Sequence, residues 1–349
     1  MRAALVALSV RGAMGQYLEA LSAQLGRYCQ LYLFVPRHFA AEPIAADRIF
    51  RFATGTSRIR ALLQLANLGA AIRVWKQVQA IRPAVVHVFN GEGYPWTLVW
   101  AFLAQKQGLP LLVTVHDPEP HPGNMWEWLN ARLRPYVLRR AASVHVHSER
   151  FVTAVKAQGA RDVKVIPHGS LAPRFLRYRK PGIQREPTAL FFGRIEAYKG
   201  LDTLVEAGIR LNGKVKVVIA GPGRLPWVTL RKIERHREIF ELHNRFLEDW
   251  EVAELFQRTR VCVLPYRQAS QSSVPLIAAA FGVPVVASAV GAFVDDVPAV
   301  GGLLVPKDDP EALASAIIRA FEITPTYPKE LEFDQIAPRF AQWYSNYAG

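Results

Sequence analysis

A chain of 349 residues, 50% hydrophobic and 21% charged, has the length for two buried cores at about 100–200 residues per domain, and its composition excludes collagen-like, mucin-like and low-complexity architectures. Cys29 and Cys262 are too few and too far apart for a disulfide framework or a zinc knuckle, which favours a reducing compartment, the cytosol. The net charge of +14 is lopsided: residues 1–170 hold 20 Lys/Arg against 9 Asp/Glu and the remainder 23 against 20, a bias that solubility alone does not explain and that suits an anionic partner.

The opening "MRAALVALSVRGAMG" predicts a short apolar strand ending in a glycine loop, not a signal peptide. The β-rich runs "AALVAL", "QLYLFV", "AVVHVF", "LLVTVH", "SVHVH" and "VKVI" then alternate with helix-length segments. Among these segments, residues 57–82 predict one or two helices, with Leu65, Leu68, Ile72 and Trp75 on one apolar stripe and Arg58, Arg60, Arg73 and Lys76 adding charge. With "ARLRPYVLRR", residues 131–140, this region reads either as core-facing helix with a solvated basic face or as a surface for peripheral contact with an anionic membrane.

Residues 173–188, rich in Pro and Arg and without apolar periodicity, predict an interdomain linker. The β-rich series restarts after it with "TALFFG", "VKVVIA", "VCVLP", "PVVAS" and "GLLVP". Residues 268–294 carry no charge, yet Pro275, Gly282, Pro284 and Gly291 divide them into loop, helix, turn and buried strand, so a soluble chain is expected. Runs of Val, Ile and Leu separated by helices are strands of parallel sheets covered on both faces. The expected fold class is therefore α/β, with two doubly wound, Rossmann-like domains over 1–172 and 189–330, and a helix within 331–349 returning to the first. Two such domains would face each other across a cleft, with ligands at the carboxyl ends of the strands.

In "LFFGRIEAYKGLDTL", residues 190–204, Arg194 follows the second domain's first strand and Lys199 precedes a helix beginning near Gly200. A cation pair beside a helix N-terminus suits a diphosphate, with Arg able to grip two oxygens and Lys acting as a mobile point charge. Spacing alone leaves the alternative of two solvated surface residues standing level with this one.

Several segments, in one order, resemble the retaining GT-B glycosyltransferases of family 4. "FFGRIEAYKGLDTLVEA", "VVIAGPG", "FLEDWEVAELFQRTRVCVLPY" and "AAAFGVPVVASAVGAFVDDV" are similar to that family's donor-binding half, and "TVHDPEPHPG" and "VHVHSERFVTAVKAQGARDVKVIPHG" to its first domain. The resemblance implies transfer of a sugar from a UDP- or GDP-type nucleotide sugar to a lipid-linked, polysaccharide or small-molecule hydroxyl, with no cofactor and no metal. Its catalytic residues would be His116, Asp117, Arg194 and Lys199, with Asp117 orienting the His116 imidazole. Donor contacts would come from Gly12, Gly15, Arg194, Lys199, Gly221 and the loop Ser270, Gln271, Ser272, Ser273, Val274. Asn90 and Glu92, in "FNGEGYPW", are the acceptor-side candidates, whereas His168 and Gly169 read as a turn. No Asp-x-Asp occurs, so the metal-binding motif of the other major transferase fold is missing.

The chain departs from the family at its paired glutamates, whose positions are Ala269 and Ile277 here. Donor identity is not transferable by analogy, and a nucleotide-sugar-binding pseudo-enzyme is the alternative reading. A nucleic-acid binder would account for the charge, but no zinc finger, basic zipper or RNP-like motif accompanies it.

Overall fold

The computed structural model describes residues 1–54, 66–118, 125–269 and 271–348. They form two compact units: Met1–Gly169 with Phe333–Gly349, and Ser170–Glu332.

The first unit runs β1 (Arg2–Ala7), α1 (Ala13–Leu25), β2 (Gln30–Pro36), β3 (Ile49–Phe52), α2 (Leu68–Ala80), β4 (Val85–Asn90), α3 (Pro95–Lys106), β5 (Leu111–Thr114), α4 (Met125–Leu138), β6 (Ser143–Val146), α5 (Val152–Ala157) and β7 (Val163–Val165). Its sheet has the order β3-β2-β1-β4-β5-β6-β7, all parallel. The second unit runs α6 (Ala172–Leu176), β8 (Thr188–Phe192), α7 (Leu201–Arg210), β9 (Lys216–Ala220), α8 (Trp227–Arg235), β10 (Phe240–His243), α9 (Asp249–Arg258), β11 (Val261–Leu264), α10 (Val274–Ala280), β12 (Val285–Ser288), α11 (Phe293–Ala299), β13 (Leu303–Val305) and α12 (Pro310–Arg319). Its order, β10-β9-β8-β11-β12-β13, is again all parallel and repeats the first without a seventh strand. The chain closes with α13 (Phe333–Ser345), which packs on α1 in the first unit.

Strands β1, β4, β5, β11 and β12 are almost wholly buried because helices cover both faces, which is why they read as unbroken apolar runs. The helix starts have identifiable causes. Asn67 accepts from Ala70 N at the head of α2, Asp309 from Glu311 N and Ala312 N at α12, and Glu248 and Glu251 form a capping box at α9.

Three expectations need correction. The segment 173–188 is not a free linker: Arg174 pairs with Asp249 at 2.8 Å, Lys180 and Gln257 exchange two hydrogen bonds, and Arg185 donates to Phe281 O at 2.7 Å, all within the second unit. Two edge strands, β3 and β10, went unread. The apolar stripe on the basic helix is also out of phase. In α2 the buried side chains are Ala71, Val74, Trp75 and Val78, whereas Leu68 and Ile72 are 48% and 44% exposed beside Arg73 and Lys76; residues 57–65 lie outside the described residues. The uncharged run 268–294 yields the seven-residue α10, a turn at Gly282 and β12. Among the described residues no helix is long and apolar enough to cross a membrane.

Candidate active site

The carboxyl end of the second sheet is built around a lysine. After β8, Gly193 takes a positive φ of 141°, and Arg194 turns outward to meet Glu196 at 3.1 Å with two thirds of its side chain exposed. A single 3-10 turn, Ala197–Lys199, leads to Gly200, whose left-handed conformation starts α7. A Cβ on Gly200 would lie 1.9 Å from Pro265 O, so only glycine lets this turn close onto the end of β11. Gly221, at the end of β9 with φ 140°, is equally constrained, because a Cβ there would stand 2.1 Å from Gly193 O.

This packing fixes Lys199. Its Nζ donates to Tyr266 Oη at 2.7 Å and lies 4.3 Å from the centre of that ring. Among the described residues no carboxylate pairs with it, and burial lowers its pKa. Tyr266 is itself 2% exposed, and burial raises its pKa while Ser272 pulls it back down. The Lys199–Tyr266 hydrogen bond thus joins the β8–α7 turn to the segment that follows β11. Ser272 Oγ accepts from Val274 N at 3.4 Å, Ser273 begins α10 without a side-chain cap, and Gln271 is partly exposed nearby in sequence. Ser270 lies outside the described residues. Ala269 and Ile277 are 8% and 2% exposed, so the positions that would carry the paired glutamates are packed into apolar surroundings.

Tyr266 was not singled out from the sequence. A tyrosine two residues past a buried strand has the signature of a core aromatic, and only its place at the carboxyl end of the strand paired with β8 could have flagged it.

At the carboxyl end of the first sheet many polar groups are committed to one another, although His147 Nδ1 is buried with no hydrogen-bond partner among the described residues. Gly12 caps α1 with φ 58° and has open space where a Cβ would go, whereas a Cβ on Gly15 would meet Val10 O at 2.5 Å. Packing against Val10 therefore holds position 15 to glycine. Asn90 accepts from Leu8 N and Ser9 N at 2.8 and 2.9 Å and donates to Ser9 O at 2.7 Å, bracing the loop after β1. Glu92 pairs with Arg134 at 3.2 Å, both nearly buried. Burial pushes the Glu92 carboxyl up, Arg134 pulls it down and Asp117 pushes it up again. Both acceptor-side candidates therefore have internal partners.

His116 is held likewise. Its Nε2 faces Phe89 O at 2.8 Å and must carry the proton, so Nδ1 accepts from His147 Nε2 at 3.0 Å. Both imidazole nitrogens are taken, by Phe89 O and by His147. Burial brings the His116 pKa down to about 4, against weaker upward pulls from Phe89 O and Asp117. His168 donates through Nδ1 to Gly169 O at 2.9 Å and packs edge-on to Tyr17, as a turn residue would.

Beneath this layer lies a second imidazole chain that sequence reasoning missed. His145 Nε2 faces Ile166 O at 2.9 Å, so its Nδ1 accepts from the Thr114 hydroxyl at 3.0 Å. Thr114 Oγ1 in turn accepts from His87 Nε2 at 2.7 Å, and His87 Nδ1 accepts from Tyr344 Oη of α13 at 2.6 Å. One carbonyl thereby sets every proton in the chain. Burial holds His145 down at about 3 and His87 well below the usual histidine range. The alternation His-x-His in "SVHVH" was the available signal.

Comparison with known proteins covers both units. The profile "Glycosyl transferase 4-like domain" matches residues 12–169 and "Glycosyl transferases group 1" matches residues 186–322. A glycogen synthase of Mycobacterium tuberculosis is 28% identical over 262 residues, 68% of this chain and 58% of that protein, so the chain spans less than two thirds of that relative. A D-inositol 3-phosphate glycosyltransferase of Xylanimonas cellulosilytica is 31% identical over 161 residues, 44% of this chain and 38% of that protein. Among solved structures, sucrose-phosphate synthase from Thermosynechococcus elongatus aligns with a TM-score of 0.70 at 17% identity, covering 99% and 94% of the two chains. Anabaena HepE in complex with UDP-glucose aligns with a TM-score of 0.68 at 18% identity, covering 100% and 97%.

Proposed function

The chain belongs to the GT-B glycosyltransferases of family 4, and from that premise we propose that it transfers a sugar from a nucleotide diphosphate sugar to a hydroxyl acceptor. The observation that carries this reading is Lys199: an ammonium held by a tyrosine hydroxyl, without a carboxylate among the described residues, is an unfilled site for an anion. HepE was crystallised with UDP and with UDP-glucose, which favours a UDP-sugar as donor.

In the proposed reaction the anomeric C–O bond breaks and negative charge grows on the departing diphosphate. Lys199, with Arg194 swung from Glu196, stabilises that charge more than it stabilises the ground state. The acceptor hydroxyl attacks the same face of the sugar through an oxocarbenium-like state, and the leaving phosphate oxygen takes its proton, so configuration is retained. No protein base is required. This suits a first unit whose His116 is neutral at pH 7 with both nitrogens engaged, and whose Glu92 is tied to Arg134. His116 is then a binding residue and not a proton carrier, and the chemistry needs no metal. The setting is cytoplasmic glycolipid or polysaccharide synthesis.

A second reading, a pseudo-enzyme that binds nucleotide sugar without transferring it, is favoured by the buried Ala269 and Ile277. Calorimetric titration with UDP, GDP and ADP, beside the Arg194→Ala/Lys199→Ala double variant, tests the site. Selective UDP binding abolished in the variant supports the donor reading, and absence of binding by the natural chain sinks it. Turnover of bound UDP-sugar on cell-derived acceptors then separates enzyme from pseudo-enzyme.

A further inference from the structure

Helices α2, α3 and α4 lie side by side on one face of the first sheet. The steps β3 to β4, β4 to β5 and β5 to β6 all move the same way across it, and right-handed crossovers put their helices on one side. Trp100 Nε1 donates to Ala71 O at 2.9 Å and Trp75 Nε1 to Gln107 Oε1 at 3.1 Å, tying α2 to the end of α3.

Among the residues of this layer whose side chains are described, the outer surface has one charge sign. Residues 66–82, 95–110 and 130–142 contain eight Arg or Lys and no Asp or Glu, and of the eight only Arg134 is buried. Helices α1 and α13, on the opposite face, carry Glu19, Asp334 and Arg339. The same outer surface is also apolar at its tips. Leu68, Ile72, Phe102 and Tyr136 are 48%, 44%, 57% and 53% exposed. Between α3 and α4 lies a depression of about 340 Å³ lined by Leu98, Phe102, Leu133, Tyr136 and Arg140. Two guanidinium groups stand at it: Arg139 lies 5.1 Å from the Tyr136 ring centre, and Arg140 Nη1 donates to Tyr136 O at 3.0 Å.

We propose that this face docks on an anionic phospholipid bilayer, with the α3–α4 groove seating an acyl chain and Arg139 and Arg140 at the lipid phosphates. Long basic side chains around exposed aliphatic and aromatic tips match the boundary between headgroups and acyl chains, where each part finds its own solvent. A nucleic acid would use the charge and leave the apolar groove unfilled. A second copy of the chain would set two wholly basic faces against each other.

The test is sedimentation of the purified full chain with phosphatidylcholine vesicles, with and without phosphatidylglycerol. Binding is expected only with the anionic lipid and should weaken with added salt. Arg139→Gln and Arg140→Gln should each weaken it about fivefold, and Phe102→Ser about tenfold. Circular dichroism melts check that the variants, all exposed, remain folded. Equal binding to neutral vesicles, or unchanged binding by all three variants, would overturn the proposal. So would a dimer lost on Phe102→Ser in a chain that binds no vesicle. UDP titration of the same variants is read separately, so failure here leaves the donor reading untouched.

Discussion

The two units share a winding order but treat buried polarity in opposite ways. The first closes its carboxyl edge on itself: five histidines, His87, His116, His145, His147 and His168, are held neutral by burial, and Asn90, Glu92 and Arg134 face internal partners. The second places much of its charge in rim ion pairs and holds the partly buried Lys199 ammonium by a tyrosine hydroxyl. There burial pushes the Glu241 carboxyl up, yet hydrogen bonds from Lys216, His243 and Arg258 bring it down to about 2. The same winding order therefore carries two kinds of carboxyl edge, one lined by buried neutral imidazoles and the other by ion pairs and a lysine held by a tyrosine hydroxyl.

Acid should separate the units most strongly. A histidine kept neutral in the fold takes a proton only on unfolding, so its contribution is complete above the unfolded value near 6.5 and falls as pH drops below it. Each contributes about 1.4 kcal/mol per pH unit in that window, and five together about 7. Carboxylates such as Glu241 work in a lower window: their contribution is present above about 4.5 and lost as pH falls toward the folded value. Hydrogen exchange should show the first unit opening between about pH 6.5 and 5 while the second stays protected. Simultaneous opening would break the comparison.

Lys199→Ala comes next. It should cost UDP affinity about 1.5–3 kcal/mol, the range for hydrogen bonds to charged groups, and leave thermal stability unchanged or higher because a half-buried charge is removed. Calorimetry and thermal denaturation of one sample read both. Thr114→Val is its mirror image: it strands His87 Nε2–H and His145 Nδ1, should cost about 1–3 kcal/mol of stability, and should not alter UDP affinity. If instead Thr114→Val weakens UDP binding while Lys199→Ala unfolds the protein, the assignments are reversed. Tyr266→Phe is the finest probe. Loss of one hydroxyl should lower UDP affinity by about 0.5–1.5 kcal/mol, and an unchanged affinity would reduce Tyr266 to packing.

How legible this was depended on how completely a residue's surroundings were local. Strands buried on both faces, such as "AVVHVF" and "VCVLP", announce themselves because burial alone determines their composition. The edge strands "IFRF" and "FELH" do not, since β3 and β10 each have a single neighbour and mix buried with accessible positions. Periodicity leaves the burial of Leu68 and Ile72 open, because it finds an apolar stripe but does not say whether something covers it. The cations Arg194 and Lys199 could be placed from spacing and strand position. The partner that positions Lys199 could not, because Tyr266 is 67 residues away and meets it only through the pairing of β8 with β11. Asn90 and Glu92 looked free for the same reason: Ser9 and Arg134 are distant in sequence and adjacent in space.

The C-terminal helix carries a consequence for biosynthesis. Tyr344 Oη supplies the last proton of the imidazole chain, and Trp343 donates to Ser143 Oγ in the same unit. On the ribosome the first unit therefore waits with His87 Nδ1 unmatched while the whole second unit is made. Some 175 residues separate Gly169 from Tyr344, roughly 10–35 s of synthesis at about 5–20 residues per second. The half that begins first is completed last, and a stalled or truncated chain would release a finished second unit beside an unsealed first one.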